Sequence, residues 1–340
     1  MPKSCFAPLL GSDNRIQLFI SICAVFIVTL SSAVLFGIVN AAIVIIHITV
    51  FWLLSDLLFY VVKKLSGARL IRLSSCVAVV TAFVYLSVGY ALCNNVSVTR
   101  YTVYTDKHIG TLRIVMFADS HLGATFSGAE LNGYVKRMQS YNPDMVVIAG
   151  DFVDDDTSKK DMTDGCKALG KLKTTYGVYY AYGNHDNGYY DSSLRGYTGD
   201  DLVAELKKNG VTVLQDEVAD LGGFYVVGRA DASHRDRADI SDLVEGTDRN
   251  KLSIVINHQP NDYAAESKAN VDLVLSGHTH GGQMVPIGLV MNIFGLNDRV
   301  YGSEKRNNTS FIVTSGIADW AFKFKIGCFS EFVVVDIVGR

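Results

Sequence analysis

The sequence predicts an α/β domain with a mixed sheet, or two sheets packed face to face, preceded by an all-α transmembrane region of about three helices. Three observations lead there. The first 94 residues are almost continuously apolar. From residue 111 onward, short runs of branched and aromatic residues alternate with helix-like segments, the pattern of a layered α/β domain. Five of those runs end in aspartate, asparagine or histidine.

A helix needs about 20 apolar residues to span the hydrocarbon of a bilayer. Residues 16–36, 38–62 and 73–93 each meet that length. Gly37 joins the first two so closely that they read as a hairpin, and a cleaved leader over 1–36 would leave the two later spans unexplained. The region carries Lys3, Arg15, Lys63, Lys64, Arg69 and Arg72 against Asp13 and Asp56, a net +4, whereas the whole chain is −3. Residues 95–340 therefore hold about −7. An anchor at 1–94 followed by an acidic globular domain at 95–340 fits this asymmetry, and no nucleic-acid partner is expected, because binding one requires a basic face. Four of the bases lie in the loop 63–72, which places that loop in the cytoplasm and the globular domain outside it. Asp56 and His47 lie within the second span, Asp56 near its interfacial end and His47 as a packed neutral ring. The six cysteines include no CxxC pair, which argues against a structural zinc site, and whether Cys166 and Cys328 pair stays open.

In the globular part the strand-like runs are 111–119, 144–151, 176–186, 251–258 and 271–280, with later ones at 311–316 and 331–338. Helix-like segments fall at 128–141, 160–173, 200–209 and 261–268. The strands are uniformly apolar, as buried strands are. In open α/β sheets ligands collect beyond the carboxyl ends of the strands. There the sequence places Asp119 and His121, then Asp151 with Asp154, then Asn184, His185 and Asp186, then His258, and finally His278 and His280. Taken singly, each reads equally well as a cap, a turn or a packed histidine. Five such coincidences at five strand ends do not. His108 and His234 lie outside these motifs and read as surface or loop residues.

Carboxylates, an amide oxygen and imidazoles without thiolates suit borderline divalent ions, with Mn²⁺ first and Fe²⁺, Zn²⁺ or Co²⁺ as alternatives. About seven ligands exceed one mononuclear site but suit two ions sharing a carboxylate. Such a pair can hold a bridging hydroxide and clamp a phosphoryl group.

The blocks Asp119-Ser-His121, Gly150-Asp151-Phe-Val-Asp154, Gly183-Asn184-His185-Asp186, His258 and Gly277-His278-Thr-His280 together resemble the calcineurin-like metallophosphoesterase superfamily. The extra glycines of GHTHGGQ are most similar to its membrane-associated YkuE/YaeI-type branch. The resemblance implies an αββα sandwich of two mixed sheets flanked by helices. It implies that Asp119, His121 and His280 hold one metal, that Asn184, His258 and His278 hold the other, and that Asp151 bridges them. It implies that His185 is the general acid or a donor to the phosphate oxygen, and that Asp154 orients it. The loop glycines would then allow a tight backbone path and leave room for substrate. Two departures from the family pattern stand out. Asp155 occupies a position where many relatives have arginine, and "WAFKFKIGCFSE" (320–331) replaces a Pro-Arg segment, with Lys323 and Lys325 as candidate replacements for the lost charge or as exposed edge-strand lysines.

The reading is a membrane-anchored dinuclear-metal phosphoesterase, with a phosphodiester or pyrophosphate of a lipid or the cell envelope as the expected substrate. An extracytoplasmic nucleotide or cyclic-nucleotide phosphoesterase is the enzymatic alternative. A non-catalytic, metal-stabilised receptor or scaffold domain is the alternative of a different class. The sequence leaves the oligomeric state open.

Overall fold

A computed structural model describes residues 14–67 and 73–340. Lys3, Asp13, Arg69 and Arg72, on which part of the charge and orientation argument rests, lie outside the described residues, as does Cys5. The chain divides into two compact units.

The first unit runs to Ala91 and also includes Ala321–Phe324. It contains helices α1 (Asn14–Phe36), α2 (Ile38–Ser66) and α3 (Ser74–Asn94), the last extending into the second unit. Among the described residues α2 and α3 are long and apolar enough to cross a membrane, and α1 contributes a shorter apolar stretch at Phe26–Phe36. His47 stacks on Tyr85 with ring centroids 5.3 Å apart, and its Nδ1 lies 2.8 Å from the Ile43 carbonyl, which makes it a packed ring as expected. Asn40 of α2 donates to the Ala321 carbonyl at 2.9 Å and accepts from the Lys323 backbone N–H at the same distance. Nothing in the local pattern of 320–331 signals that Ala321–Phe324 groups with these helices.

The second unit is a four-layer sandwich. Its first sheet has the order β1 (Ser97–Tyr104), β12 (Glu331–Val338), β2 (Thr111–Phe117), β3 (Met145–Ala149), β4 (Val178–Ala181), β5 (Val211–Leu214). Strands β2 to β5 run parallel and β12 is antiparallel to β2. The second sheet has the order β10 (Gly302–Arg306), β11 (Thr309–Val313), β9 (Leu273–Ser276), β8 (Leu252–Ile256), β7 (Phe224–Gly228), β6 (Glu217–Asp220). It is parallel from β11 to β7 and antiparallel at both edges. Ile114, Val147, Ile254, Leu273 and Val335 meet in one core between the sheets. Each such side chain contributes about 1.5–3 kcal/mol when fully buried.

Helices α4 (Gly128–Gln139), α5 (Lys159–Leu169) and α6 (Gly199–Lys208) cover the outer face of the first sheet through Leu131, Cys166 and Leu202. Short helices α7 (Ile240–Leu243) and α8 (Tyr263–Lys268) cover the second sheet. Each of α4 to α6 begins at a Ser or Thr whose hydroxyl accepts a backbone N–H three residues on, which satisfies one of the open donors of the first turn. The mixed two-sheet architecture agrees with the sequence expectation. The sequence reading missed β1, β5, β6, β7, β10 and the apolar helix α9 (Ile287–Phe294). Cys166 and Cys328 are both buried thiols that are not joined to each other.

Candidate metal centre

The five strand ends singled out in the sequence are β2, β3 and β4 of one sheet and β8 and β9 of the other. Their side chains converge. Asp119, His121 and His280 offer ligand atoms within 4.8 Å of one another, and so do Asp151, His258 and His278. His121 Nε2 lies 3.7 Å from Asp151 Oδ2, which brings the two groups side by side. Asn184 Oδ1 lies 2.9 Å from His278 Nδ1, next to the second group. The backbone turns sharply to aim these side chains. Asp119, His121, Asp151, His278 and His280 all have positive φ, between 35° and 73°. Non-glycine residues avoid that region, and such strain gathers at functional sites.

Three imidazoles share one arrangement. His258 Nδ1 is 2.7 Å from the Ala149 carbonyl, His121 Nδ1 is 3.2 Å from Asp154 Oδ2, and His280 Nδ1 is 3.3 Å from the Ala318 carbonyl, with the Asp319 carboxylate alongside at 3.0 Å. These oxygens only accept, so each Nδ1 must donate. That leaves each Nε2 lone pair facing a carboxylate, at 3.1 Å for His258 and Asp151 and at 3.9 Å for His280 and Asp119. The buried Nε2 atoms of His121 and His258 make no hydrogen bond among the described residues. Lone pairs turned on carboxylates repel unless a cation lies between them. A proton can fill that place on His258: burial disfavours a charged ring, yet the Asp151 and Asp119 carboxylates outweigh it and push its pKa up to about 10, so an ion bound there would displace that proton. Asp151 is likewise held far below the ordinary carboxylate range: burial opposes this, and the His258 and His121 rings prevail. The donor set and its orphaned nitrogens fit divalent ions bound between imidazole and carboxylate.

Neighbouring groups hold this frame. The His278 N–H donates to Asp119 Oδ1 at 3.0 Å, and the His185 N–H donates to Asp151 Oδ1 at 2.9 Å. The Asp186 carboxylate accepts the N–H groups of Asp151, Phe152, Val153 and Gly183 and ties the β3 and β4 loops together. Burial, with Asp151 nearby, raises its pKa to about 6. The sequence showed Asp186 in its motif but gave no role to it.

Several residues sit differently from expectation. Asp154, expected to orient His185, pairs instead with His121. Its other oxygen accepts from Thr157 Oγ1 at 3.0 Å. Asp155, in the position where many relatives have arginine, is held by the N–H groups of Tyr189 and Tyr190, which its carboxylate accepts at 3.0 and 3.1 Å. Lys325 is fully buried, and its Nζ donates to the carbonyls of Ser315 and Ala318 at 2.6 and 3.1 Å, so it is neither a substrate-facing cation nor an exposed edge lysine. Two of the loop glycines are packed against neighbouring side chains rather than opening space for substrate. A Cβ on Gly277 would lie 2.7 Å from Asp119 Oδ2, and one on Gly281 would lie 2.7 Å from Cys328 Cβ. They are needed for close packing. His185 is half-buried, with its ring centroid 5.1 Å from those of His121 and Tyr189 and 5.8 Å from that of Trp320. Burial lowers its pKa and favours the neutral ring. His108 and His234 are exposed, as expected.

A two-sheet sandwich with clustered carboxylates and imidazoles at its strand ends defines a metallophosphoesterase. The profile of the calcineurin-like phosphoesterases matches residues 112–282, and the chain belongs to that family. An uncharacterized metallophosphoesterase of Campylobacter jejuni is 30% identical over 269 residues, which cover 74% of this chain and 67% of that protein. A transmembrane protein with metallophosphoesterase domain from Danio rerio is 29% identical, covering 65% of this chain and 52% of its own length. The metallophosphoesterase YkuE of Bacillus subtilis is 30% identical, covering 51% of this chain and 59% of its own length. This chain thus spans between about half and two thirds of the relatives compared.

Proposed function

We propose that the chain is a membrane-anchored, dinuclear-metal phosphodiesterase whose active domain faces away from the cytoplasm and acts on a phosphodiester or pyrophosphate of a lipid or the cell envelope. The observation that carries this is the pair of ligand groups abutting at His121 and Asp151. In this reading Asp119, His121 and His280 hold one ion. Asn184, His258 and His278 hold the other, and Asp151 serves both. Mn²⁺ is the first ion to test, because oxygen and imidazole donors without thiolate suit it. The ions would supply Lewis acidity and lower the pKa of water.

The chain's own residues do the rest. Backbone N–H donors from the facing loops fix Asp119 and Asp151, so the charged groups are preorganised. His185, beside His121 and half-open to solvent, is placed to give a proton to the leaving oxygen. Asp154 and Asp319 orient the imidazoles behind the ions. Trp320 and Tyr189 wall His185 with aromatic surface.

The test uses the full chain in detergent, stripped of metal and titrated with Mn²⁺ against an aryl phosphodiester and the matching monoester. Mn²⁺-dependent turnover that prefers the diester is expected. Asp151→Ala should lose both turnover and the metal-induced rise in Tm. His185→Ala should keep that rise and lose about 10²–10⁴-fold in kcat. A chain that binds no metal would overturn the reading.

A further inference from the structure

We infer that helix α9 is an in-plane docking element that inserts into the headgroup–acyl boundary of a lipid bilayer, directly beside the loop carrying His278 and His280. The helix reads IGLVMNIF and has no charged residue, and none of its residues is buried. Leu289, Ile293 and Phe294 are 60%, 68% and 73% exposed, and Leu296 just beyond is 61% exposed. A surface helix of a water-soluble domain hides its apolar stripe and shows a polar one. Apart from the side on which Gly288 meets Gly282, this helix shows apolar side chains, with Asn292 as its single polar residue. Hydrocarbon can cover that whole uncharged surface.

Two further features favour the bilayer over other occupants. The segment leading into α9 is paired with the strand-like residue Ile326. The Val285 N–H donates to the Ile326 carbonyl at 3.1 Å, and the Ile326 N–H donates to the Gln283 carbonyl at 2.9 Å. Ile326 follows Phe324 by two residues, and Phe324 belongs to the helical unit, where its ring meets Phe36 and Tyr90 at centroid distances of 6.1 and 6.4 Å. The base of α9 is thus tied in sequence and by hydrogen bonds to a stretch that returns from the apolar helices. On its other side α9 abuts the metal loop: a Cβ on Gly282 would lie 2.4 Å from Gly288 Cα. A cavity of about 360 Å³ opens between them, lined by Gly281, Gly282, Leu289, Arg299, Val300 and Ile326. Docking there would bring the metal loop to the level of lipid headgroups.

The experiment places the photo-crosslinker p-benzoylphenylalanine at Phe294, and separately at Tyr104, in the full chain reconstituted into phosphatidylcholine–phosphatidylglycerol vesicles. Tyr104 is 74% exposed at the end of β1 and serves as the control. Both variants must elute like the wild type before irradiation. A phospholipid adduct on the peptide containing residues 287–296, at least tenfold more abundant than at position 104, is the expected result. A crosslinked dimer without lipid adduct would overturn the inference in favour of a second copy of the chain. Equal labelling at both positions, or no lipid adduct, would also overturn it. The readout needs no turnover, so it stands apart from the phosphodiesterase assignment.

Discussion

The carboxylate of Asp319 lies 3.0 Å from His280 Nδ1 and 3.6 Å from the buried ammonium of Lys325. It therefore orients a candidate metal ligand while it balances a buried cation. Its other oxygen accepts from Cys93 Sγ at 3.1 Å. Carboxylates behind a ligating histidine typically change metal affinity by about 10–100-fold. Asp319→Asn should weaken Mn²⁺ binding by about that factor, read as a shift in the Mn²⁺ concentration needed for half-maximal Tm increase. An unchanged midpoint would remove Asp319 from the metal frame.

Lys325 separates two explanations for the lysines of the 320–331 segment. Breaking a buried ion pair by removing one partner costs about 3–5 kcal/mol, because a charge is left uncompensated. Lys325→Ala should therefore lower Tm strongly and leave KM for a small phosphodiester nearly unchanged in the surviving folded fraction. Lys323→Ala should stay within about 0.5 kcal/mol of wild type in stability. A large KM increase in Lys325→Ala with normal Tm would return that residue to the substrate.

Gly183 has a steric role. A Cβ there would meet Asp151 Oδ1 at 2.1 Å. Gly183→Ala should cost about 1–3 kcal/mol of stability from overpacking and should abolish metal-induced stabilisation by displacing Asp151. Gly133, on the exposed side of α4, has open space where a Cβ would stand, with nothing within 4 Å. Gly133→Ala should stabilise by about 0.5–1 kcal/mol, since alanine is the better helix former. Thermal melts with and without Mn²⁺ check both.

Glu266 gives a pH signature outside the candidate ligand set, joined to it through Asn257, which precedes His258. It is fully buried, bonded to Asn257 at 2.8 Å and paired with Arg229 at 3.2 Å, with Asp262 also on Arg229 and Oε2 without a hydrogen-bond partner among the described residues. Burial raises its pKa to about 7, against the pull of Arg229. A folded pKa above the unfolded one favours the protonated fold. This contribution is complete below about pH 4.5 and is lost as pH rises toward 7. The Tm of wild type minus that of Glu266→Gln should therefore fall between pH 5 and 7.5. A flat difference would show that Glu266 does not titrate in this window.

The sequence by itself determined the apolar helices, the strand–helix alternation and the residues at five strand ends, because each is a local pattern. Side-chain periodicity sets an element, and a polar residue after a buried strand falls at the sheet's end. FYVVG (224–228) carried the same apolar signal as the strands that were assigned, whereas the alternating SVTRYTVY of β1 suits a half-exposed edge. Only the tertiary structure decided which partner stands behind each ligand. Asp319 lies 39 residues from His280, and Asp154 lies 33 residues from His121 but only 31 from His185. Spacing cannot choose between such partners, because the loops after β2, β3 and β9 turn through positive φ and meet only when both sheets are packed. The burial of Lys325 has the same origin. A lysine between Phe324 and Ile326 reads as an edge residue until the carbonyls of 315–318 close around its ammonium.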